Sequence, residues 1–257
     1  MAELVFDSLV LLLAGTVRGF SGFGFALVAV SGLALLHPPA EVVPAILCLE
    51  IFASIHLLPG VWSQVHWPSI LWLGVGMVVG TAPGVWLLAH ASPSALRLWV
   101  SLAVLFAAAT LTREQSRPRA RGFWVQLLAG FCSGVLNASA SVGGPPVILY
   151  YLNASGSAAA IRASLIAFFV VADSVSLAAM AGTGLLTPRV GLLALLWIVP
   201  ALAGVSLGRL MFERHGARHY RRAVVVLLVA LAILGAGRAA WEWLAPEQRA
   251  QTEGRNF

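Results

Sequence analysis

The feature that most constrains this chain is a succession of eight long apolar segments with very little charge inside them. They cover roughly residues 4–36, 40–58, 68–89, 95–111, 123–152, 161–181, 190–211 and 221–241. About 20 apolar residues are enough for a helix to cross a bilayer. Only 10% of the 257 residues are charged, too few to cover the surface of a soluble domain. The sequence therefore predicts an all-α, polytopic helical membrane protein, with one transmembrane domain over residues 1–257.

The basic residues indicate topology and lipid contacts. The net charge is +6, and all 16 basic residues are arginines, most of them in loops or near helix ends. Such a distribution is typical of contacts with lipid headgroups, and we expect no nucleic-acid partner. Cys48 and Cys132 both lie in apolar segments, so no disulfide framework is predicted. The acidic N-terminus has no arginine before the first apolar run, which argues against a cleaved signal peptide.

A polar stretch at residues 112–121 divides the chain into two similar halves. We interpret 4–111 as a first repeat, 112–121 as a cytoplasmic linker, 123–241 as a second repeat and 242–257 as a C-terminal tail. The matches between the halves are Leu13-Ala14-Gly15 with Leu128-Ala129-Gly130, Gly19 with Gly134, Gly80 and Gly84 with Gly204 and Gly208, and Arg97 with Arg221. The alternative is coincidence among glycine-rich helices, in which small residues simply allow close packing.

Two segments, 4–36 and 123–152, are too long for one crossing. Thirty helical residues extend about 45 Å, against a hydrocarbon core of about 30 Å. Each contains a cluster of glycine, proline or short polar residues, at Gly19–Gly24 and at Asn137–Pro146, which does not continue a helix. Each segment is therefore predicted to be two half-helices with a break near the middle.

Positively charged loops decide the predicted topology. Arginines crowd residues 113–121 and 214–222, so both loops should be cytoplasmic. Three full crossings between them would place them on opposite sides, so one intervening segment must enter and return on one side. We therefore predict two inverted repeats, each with one broken re-entrant segment and three transmembrane helices, and both termini outside. The alternative is eight full spans.

The breaks are also the candidate binding site. The half-helices after Gly24 and Gly144 each begin with unpaired backbone N–H groups and a partial positive charge, which favour an anion. The residues predicted to bind one are Arg18, Ser21, Gly22, Gly24, Asn137, Ser139, Ser141, Gly143, Gly144 and Pro145. The alternative is that both breaks are packing kinks, with the serines and the asparagine acting as helix caps.

Charged residues inside apolar segments are a second functional signal, because charge at membrane depth is costly. Glu50 and Asp173 are predicted to carry a coupling proton. The alternative is that they form structural ion pairs, such as Arg18 with Glu50. The six histidines show no shared metal spacing, and no ATP-binding motif is present, so no metal or cofactor is predicted. No histidine stands near the serines of either break, so we do not expect an enzyme.

The second break carries a resemblance to a known family. Gly134–Asn137, Gly143-Gly144-Pro145-Pro146 through Leu152, and Ile161–Phe169 resemble the second-half signature of the TauE/SafE family, also called the sulfite exporter or toluene sulfonate uptake permease family. Gly15–Val28 is similar to its first-half motif. Two departures are Gly22-Phe23-Gly24 in place of a Gly-Gly-Gly run followed by proline, and Arg18 where a small or apolar residue is usual.

The resemblance implies a secondary transporter of small sulfur-containing oxyanions, such as sulfite or organosulfonates, in the bacterial inner membrane. Alternating access, with the anion held at broken-helix N-termini near the midplane, is the implied mechanism. The expected partners are the small anion, protons as a coupling ion, membrane lipids and a second copy of the chain in a homodimer. The alternatives are an anion-selective channel, a membrane-embedded hydrolase, or a non-transporting partner in a larger complex.

Overall fold

The computed structural model describes residues 2–92, 122–152 and 157–216, together with residues 95, 96, 98, 99 and 102. The predicted linker, the eighth apolar segment and the C-terminal tail lie outside these residues, as does most of the fourth segment. The regular elements in the described part are all helical. They are α1 Ala2–Ser21, α2 Phe25–Leu33, α3 Pro39–Leu57, α4 Trp67–His90, α5 Phe123–Ala140, α6 Gly144–Leu152, α7 Ala158–Met180 and α8 Pro188–Met211, with 3₁₀ turns at Leu58–Gly60 and Trp62–Gln64 and a π turn at Phe212–Gly216.

Six of these helices are long and apolar enough to cross a membrane. They are α1, α3, α4, α5, α7 and α8, with mean hydropathy between 1.3 and 2.3 over their most apolar windows. Large apolar side chains point outward from them, among them Val199 at 72% and Leu195 at 69% exposure on α8. Exposed apolar surface on this scale suits lipid and not water. The prediction of a polytopic helical membrane protein is confirmed.

The two breaks lie where the sequence predicts them, but not at the middle of their segments. The first arms, α1 and α5, have 20 and 18 residues, whereas the second arms, α2 and α6, have nine each. The chain leaves α1 through Gly22 and enters α2 through Gly24, with φ of 83° and 85°. It leaves α5 through Ser141, with φ of 56°. Left-handed backbone at these residues ends each first arm.

Each second arm folds back along its first arm. His37 Nε2, just after α2, lies 3.0 Å from Asp7 Oδ2 near the start of α1. A Cβ built on Gly32 of α2 would lie only 2.7 Å from a methyl group of Val10. In the second half, Gln126 near the start of α5 donates a hydrogen bond of 3.0 Å to the Tyr150 hydroxyl of α6. Both broken segments therefore enter and return at one level, which is the geometry of a re-entrant segment.

Glycine stripes join each first arm to a helix of the other half. Gly15 and Gly19 of α1 face the backbone at Ala201 and Val205 of α8, in rising order, so these two helices run parallel. The same close approach joins α5 to α4. The backbone at Leu73 faces Gly130 and the backbone at Met77 faces Gly134, so the residue numbers again increase together and α4 and α5 also run parallel. Backbones approach this closely only where a side chain is missing.

The helix ends show that corresponding helices point in opposite directions. The end of α3 lies beside the end of α8, where Gly60 approaches the guanidinium of Arg209. The starts of α4 and α7 lie beside each other, where the His66 N–H donates to the Ser164 hydroxyl at 2.9 Å. Buried side chains from the end of α3, the start of α7 and the end of α8 share one cluster. Thus α1, α3 and α8 run one way, and α4, α5 and α7 run the other, as an inverted repeat requires.

The structure also revises how the halves align. The left-handed residues Gly22 and Ser141 stand 119 positions apart, and so do the first residues of α2 and α6. This offset pairs Gly15 with Gly134, one helical turn away from the predicted pairing with Gly130. The predicted pairing of Gly80 with Gly204 fits this alignment of the first arms although the two stand 124 positions apart, because Gly80 faces Phe131 and Gly204 faces Leu12, which are themselves 119 apart. The repeat boundaries at 111 and 241 lie outside the described residues and stay predictions.

Candidate functional site

A buried ion pair lies at the end of α1. Arg18 Nη1 donates a hydrogen bond of 2.7 Å to Glu50 Oε1 of α3, and Arg18 Nη2 donates to the Ser54 hydroxyl one turn further along that helix. The Arg18 side chain is fully buried, and Glu50 is 2% exposed. The predicted alternative of an Arg18–Glu50 ion pair is therefore present. We call Arg18, Glu50 and Ser54 the first polar cluster.

A second polar cluster lies at the end of α5. Asn137 Nδ2 donates to Asp173 Oδ1 at 3.0 Å and to the Ser176 hydroxyl at 3.2 Å, both on α7. All three side chains are fully buried. A carboxylate buried among apolar helices needs such donors, because an unpaired charge there is very costly.

The two clusters occupy corresponding places in the two halves. Arg18 and Asn137 each stand four residues before the left-handed residue that ends the first arm. Each bonds a carboxylate and a serine that share one face of the next long helix, α3 in the first half and α7 in the second. The second cluster differs in having no cation, so the positive charge of the site comes from Arg18 alone among the residues of these two clusters.

The clusters meet around Glu50. The Ser141 hydroxyl at the second break donates to Glu50 Oε2 at 3.3 Å. The backbone N–H of Ala26, in the first turn of α2, also donates to the Glu50 carboxylate. Asp173 lies close enough to interact electrostatically with both Glu50 and Arg18. The Arg18 guanidinium stacks 5.0 Å from the centre of the Phe169 ring of α7. The structure thus brings both breaks and both carboxylates into one buried site.

Several polar atoms of this site have no hydrogen-bond partner among the described residues. They are Arg18 Nε, Asn137 Oδ1 and Asp173 Oδ2, all buried. Buried polar atoms are nearly always paired, with protein or with ordered water. The site therefore has a spare donor and two spare acceptors that water or a polar ligand would satisfy.

Two of the predicted binding residues bond elsewhere. The Ser21 hydroxyl lies 2.7 Å from the Val17 carbonyl oxygen and 2.6 Å from that of Phe23, so its single proton is donated to one or the other across the first break. The Ser139 hydroxyl donates to the Val135 carbonyl at 2.6 Å and accepts from the indole of Trp99 at 2.8 Å. Ser139 was expected in an unwound stretch, but α5 continues to Ala140, and a serine in a last helical turn commonly bonds the carbonyl four residues back.

The glycines of the breaks have different roles. A Cβ on Gly143 would lie 2.7 Å from Cβ of Asn137 and 2.9 Å from its Oδ1, so Gly143 leaves room for the second cluster. A Cβ on Gly144 would meet only Phe169 and Phe23, at 3.6 and 3.7 Å, and the end of Ile148 at 3.3 Å. Gly22 packs against Arg162, and Gly24 precedes α2, in which the Ala26 N–H donates to Glu50.

The two half-helix N-termini differ in the backbone donors that they offer to an anion. In α2 the first three residues, Phe25 to Leu27, all carry a backbone N–H. In α6 the second and third positions are Pro145 and Pro146, which have none. The α2 N-terminus therefore offers more donors, and it is the one that faces Arg18 and Glu50.

Ser54, Ser176 and the role of Arg162 are not evident from the sequence. Ser54 stands four residues after Glu50 and Ser176 three after Asp173, a spacing that places each pair on one helical face. Arg162 lies in the first turns of α7 and is buried. Its Nη2 donates to the Gly19 carbonyl at 2.5 Å, and its guanidinium lies 4.4 Å from the centre of the Phe212 ring. It satisfies one of the last carbonyls of α1 and ties the two halves together.

Buried charge at paired helix breaks, in helices otherwise suited to lipid, is typical of a polytopic membrane transporter. The comparison with known proteins then gives the family. The chain belongs to the family described as Sulfite exporter TauE/SafE, which it matches over residues 8–234. The match covers both halves and both breaks, so the resemblance noted in the sequence is confirmed.

A relative with an inner-membrane name supports the same class of protein. The chain is 30% identical over 171 residues to the Probable inner membrane transporter protein TsaS of Comamonas testosteroni, which covers 66% of this chain and 72% of that protein. No solved structure matches the chain.

Proposed function

We propose that this protein is a secondary transporter that carries small sulfur-containing oxyanions, such as sulfite or an organosulfonate, across the inner membrane. The family description and the relative's name support this class of protein. The observation that carries the proposal is Arg18, a fully buried guanidinium placed at the first helix break. A guanidinium presents several N–H groups in a plane and suits anions with more than one oxygen.

The proposed substrate site is the space between Arg18, the N-terminus of α2 and Ser141. These groups supply a guanidinium, backbone N–H groups at a helix N-terminus and a hydroxyl, all of them hydrogen-bond donors. A tetrahedral or pyramidal oxyanion can accept from all three at once, whereas chloride has no separate oxygens to distribute among them. The α6 N-terminus contributes less, because of its two prolines.

Glu50 and Asp173 are the proposed proton carriers. Both are buried, both touch the donors of the site, and each interacts electrostatically with the other. A proton on either one reduces the negative charge that an entering anion meets. The positive charge of the proton would then offset negative charge in the site, so the anion and the proton would be transported together.

Alternating access is the proposed mechanism. Each first arm packs through glycines on α8 or α4 of the opposite half, and the two halves run in opposite directions. A rocking motion of one half against the other would open the site first to one face and then to the other.

A binding screen tests the proposal. Purified protein in detergent is heated with sulfite, methanesulfonate, acetate or chloride, and the shift in melting temperature gives the affinity. We expect the sulfur oxyanions to bind more tightly than acetate and chloride. In Arg18→Gln the affinity should fall roughly tenfold to a hundredfold, the worth of about 1.5–3 kcal/mol for a charge-assisted hydrogen bond.

The matched control is Arg189→Gln, which removes one arginine from a residue 64% exposed at the start of α8. It should bind like the wild type. Equal affinity of Arg18→Gln and Arg189→Gln for sulfite would place the substrate elsewhere, and preference for acetate over every sulfur oxyanion would contradict the proposed substrate class.

A further inference from the structure

The Glu50 carboxylate holds the same donors that a transported oxyanion would need. It accepts from Arg18 Nη1 at 2.7 Å, from the Ser141 hydroxyl at 3.3 Å and from the Ala26 N–H at the start of α2. A carboxylate is itself a small oxyanion with two oxygens in a plane. Glu50 and a substrate anion cannot both occupy these donors, because each N–H or O–H serves one strong acceptor at a time.

We propose that Glu50 is a built-in competitor of the substrate, whose carboxylate holds the anion site until the entering oxyanion displaces it. This inference rests on the proposed function and adds to it the group that occupies the anion site before the substrate binds. It predicts an unusual outcome for a charged residue at a binding site: neutralising Glu50 should strengthen substrate binding. If Glu50 served only as the structural partner of Arg18, the same change would leave a buried cation unpaired. It would then lower the stability of the folded protein without raising the substrate affinity.

The arrangement around Arg18 favours displacement over a fixed ion pair. Ser54 also accepts from Arg18, so the guanidinium keeps a partner when Glu50 leaves. Phe169 covers one face of the guanidinium and holds it in place. Arg18 Nε, which has no partner among the described residues, is a further donor for a ligand with several oxygens.

The first test compares Glu50→Gln with Glu41→Gln for methanesulfonate binding in detergent. Both changes remove one negative charge from α3, but Glu41 pairs with Arg189, whose side chain is 64% exposed, and lies outside the site. We expect Glu50→Gln to bind about tenfold more tightly, since one charge-assisted competitor is gone. Glu41→Gln should bind as the wild type does.

Stability supplies a second readout. Without ligand, Glu50→Gln should melt below the wild type, because Arg18 has lost its counter-ion. Saturating methanesulfonate should raise its melting temperature by more than it raises that of the wild type. A Glu50→Gln protein that stays unfolded even with saturating anion would overturn the inference.

A third readout uses the wild-type protein and needs no change at Glu50. Protonation of Glu50 should release the donors, so methanesulfonate affinity should rise as the pH is lowered. Among the residues that the structure describes, the charged groups facing Glu50 are Arg18 from α1 and Asp173 from α7, while α2 and the second break supply the Ala26 N–H and the Ser141 hydroxyl. Asp173→Asn should therefore keep most of the rise in affinity, and Glu50→Gln should lose most of it, because only Glu50 holds the donors themselves.

The outcomes separate this inference from the proposed function. Wild-type binding of sulfur oxyanions, with equal or weaker binding in Glu50→Gln, overturns the inference and leaves the proposed function standing. Failure of every sulfur oxyanion to bind to either protein contradicts the proposed function itself.

Discussion

At the scale of single residues, the site consists of two matched clusters with unequal charge. Arg18 bonds Glu50 and Ser54, and Asn137 bonds Asp173 and Ser176. Replacing the cation by an amide in the second half leaves one guanidinium for two carboxylates. A site with this excess of negative charge favours a bound proton, and the proposed proton carriers rest on this imbalance.

Part of this site could be predicted from sequence. Arg18, Glu50 and Asp173 stand out because charge inside an apolar segment is costly and rarely incidental. Ser54 and Ser176 do not stand out, because most serines in such helices bond their own backbone, as Ser206 does with the Leu202 carbonyl. Ser139 was predicted to lie in unwound backbone, but it is still helical. Sequence alone does not show whether a serine near a break belongs to the helix.

Asn137 offers a test at this scale. Asn137→Ala removes a donor from the fully buried Asp173, which should cost about 1–3 kcal/mol. The melting temperature in detergent should fall by several degrees. The matched control is Ser139→Ala on the same helix, whose hydroxyl bonds the preceding turn and Trp99, and which should cost less. A loss as large in Ser139→Ala as in Asn137→Ala would show that the Asn137–Asp173 bond contributes little.

At the scale of helices, the molecule is organised by close backbone approach. The most extensive contacts join α1 to α8 and α4 to α5, each pair taking one helix from each half. Glycines line both pairs, and an added Cβ there would overlap a facing carbonyl. The sequence shows the glycine stripes but not their partners, because a small residue permits close packing without specifying which helix fills the space.

A glycine comparison on α8 tests this packing. Gly204 faces the backbone of α1 at Leu12 and Thr16, whereas Gly191 on the same helix has open space beside it. Gly204→Ala should destabilise the protein by about 1–3 kcal/mol through overpacking. Gly191→Ala should leave the melting temperature unchanged or raise it slightly, since alanine favours the helix. Equal melting temperatures for the two variants would rule out the α1–α8 contact as described.

The positions of the two helix breaks can be predicted from sequence, but the lengths of the helices that lead into them cannot. Glycine and proline identify where each helix stops, and the structure confirms both places. They do not show how deep the first arm reaches before it stops. The arms of 20 and 18 residues are set by packing along α8 and α4, which sequence alone does not reveal.

The re-entrant path has its own test. In a background with Cys48→Ala and Cys132→Ala, the pair Val10→Cys and Gly32→Cys should form a disulfide on mild oxidation, because Val10 and Gly32 face each other across α1 and α2. The pair Val10→Cys and Gly191→Cys is the control, since Gly191 has open space beside it and no Val10 atom within 4 Å of an added Cβ. Efficient bridging of the control but not of the first pair would contradict the hairpin.

At the scale of the whole molecule, the two halves run in opposite directions around one buried site. The arginine loops predict this inversion from sequence, because both should be cytoplasmic. The described helices agree, since α1 and α5, α3 and α7, and α4 and α8 are oppositely directed. The linker arginines themselves lie outside the described residues, so their side of the membrane stays a prediction, as do proton coupling and the homodimer.

Labelling of single cysteines from each side tests the topology. In the same cysteine-free background, Ser63→Cys lies in the turn after α3 and Thr183→Cys in the turn after α7, and both positions are exposed. We expect Ser63→Cys to react with an impermeant thiol reagent from the cytoplasmic side and Thr183→Cys from the outside. Reaction of both from one side would contradict the inverted arrangement.

The central claim is that a sulfur oxyanion crosses the membrane through a site centred on Arg18. Counterflow in proteoliposomes tests it most directly: vesicles loaded with unlabelled sulfite are diluted into radiolabelled sulfite, and the label inside is followed over time. A secondary transporter should accumulate label transiently above its equilibrium level, which a channel does not do. We expect this overshoot for the wild type and for Arg189→Gln, and its loss in Arg18→Gln. An overshoot of full size in folded Arg18→Gln, or none with any sulfur oxyanion in the wild type, would contradict the central claim.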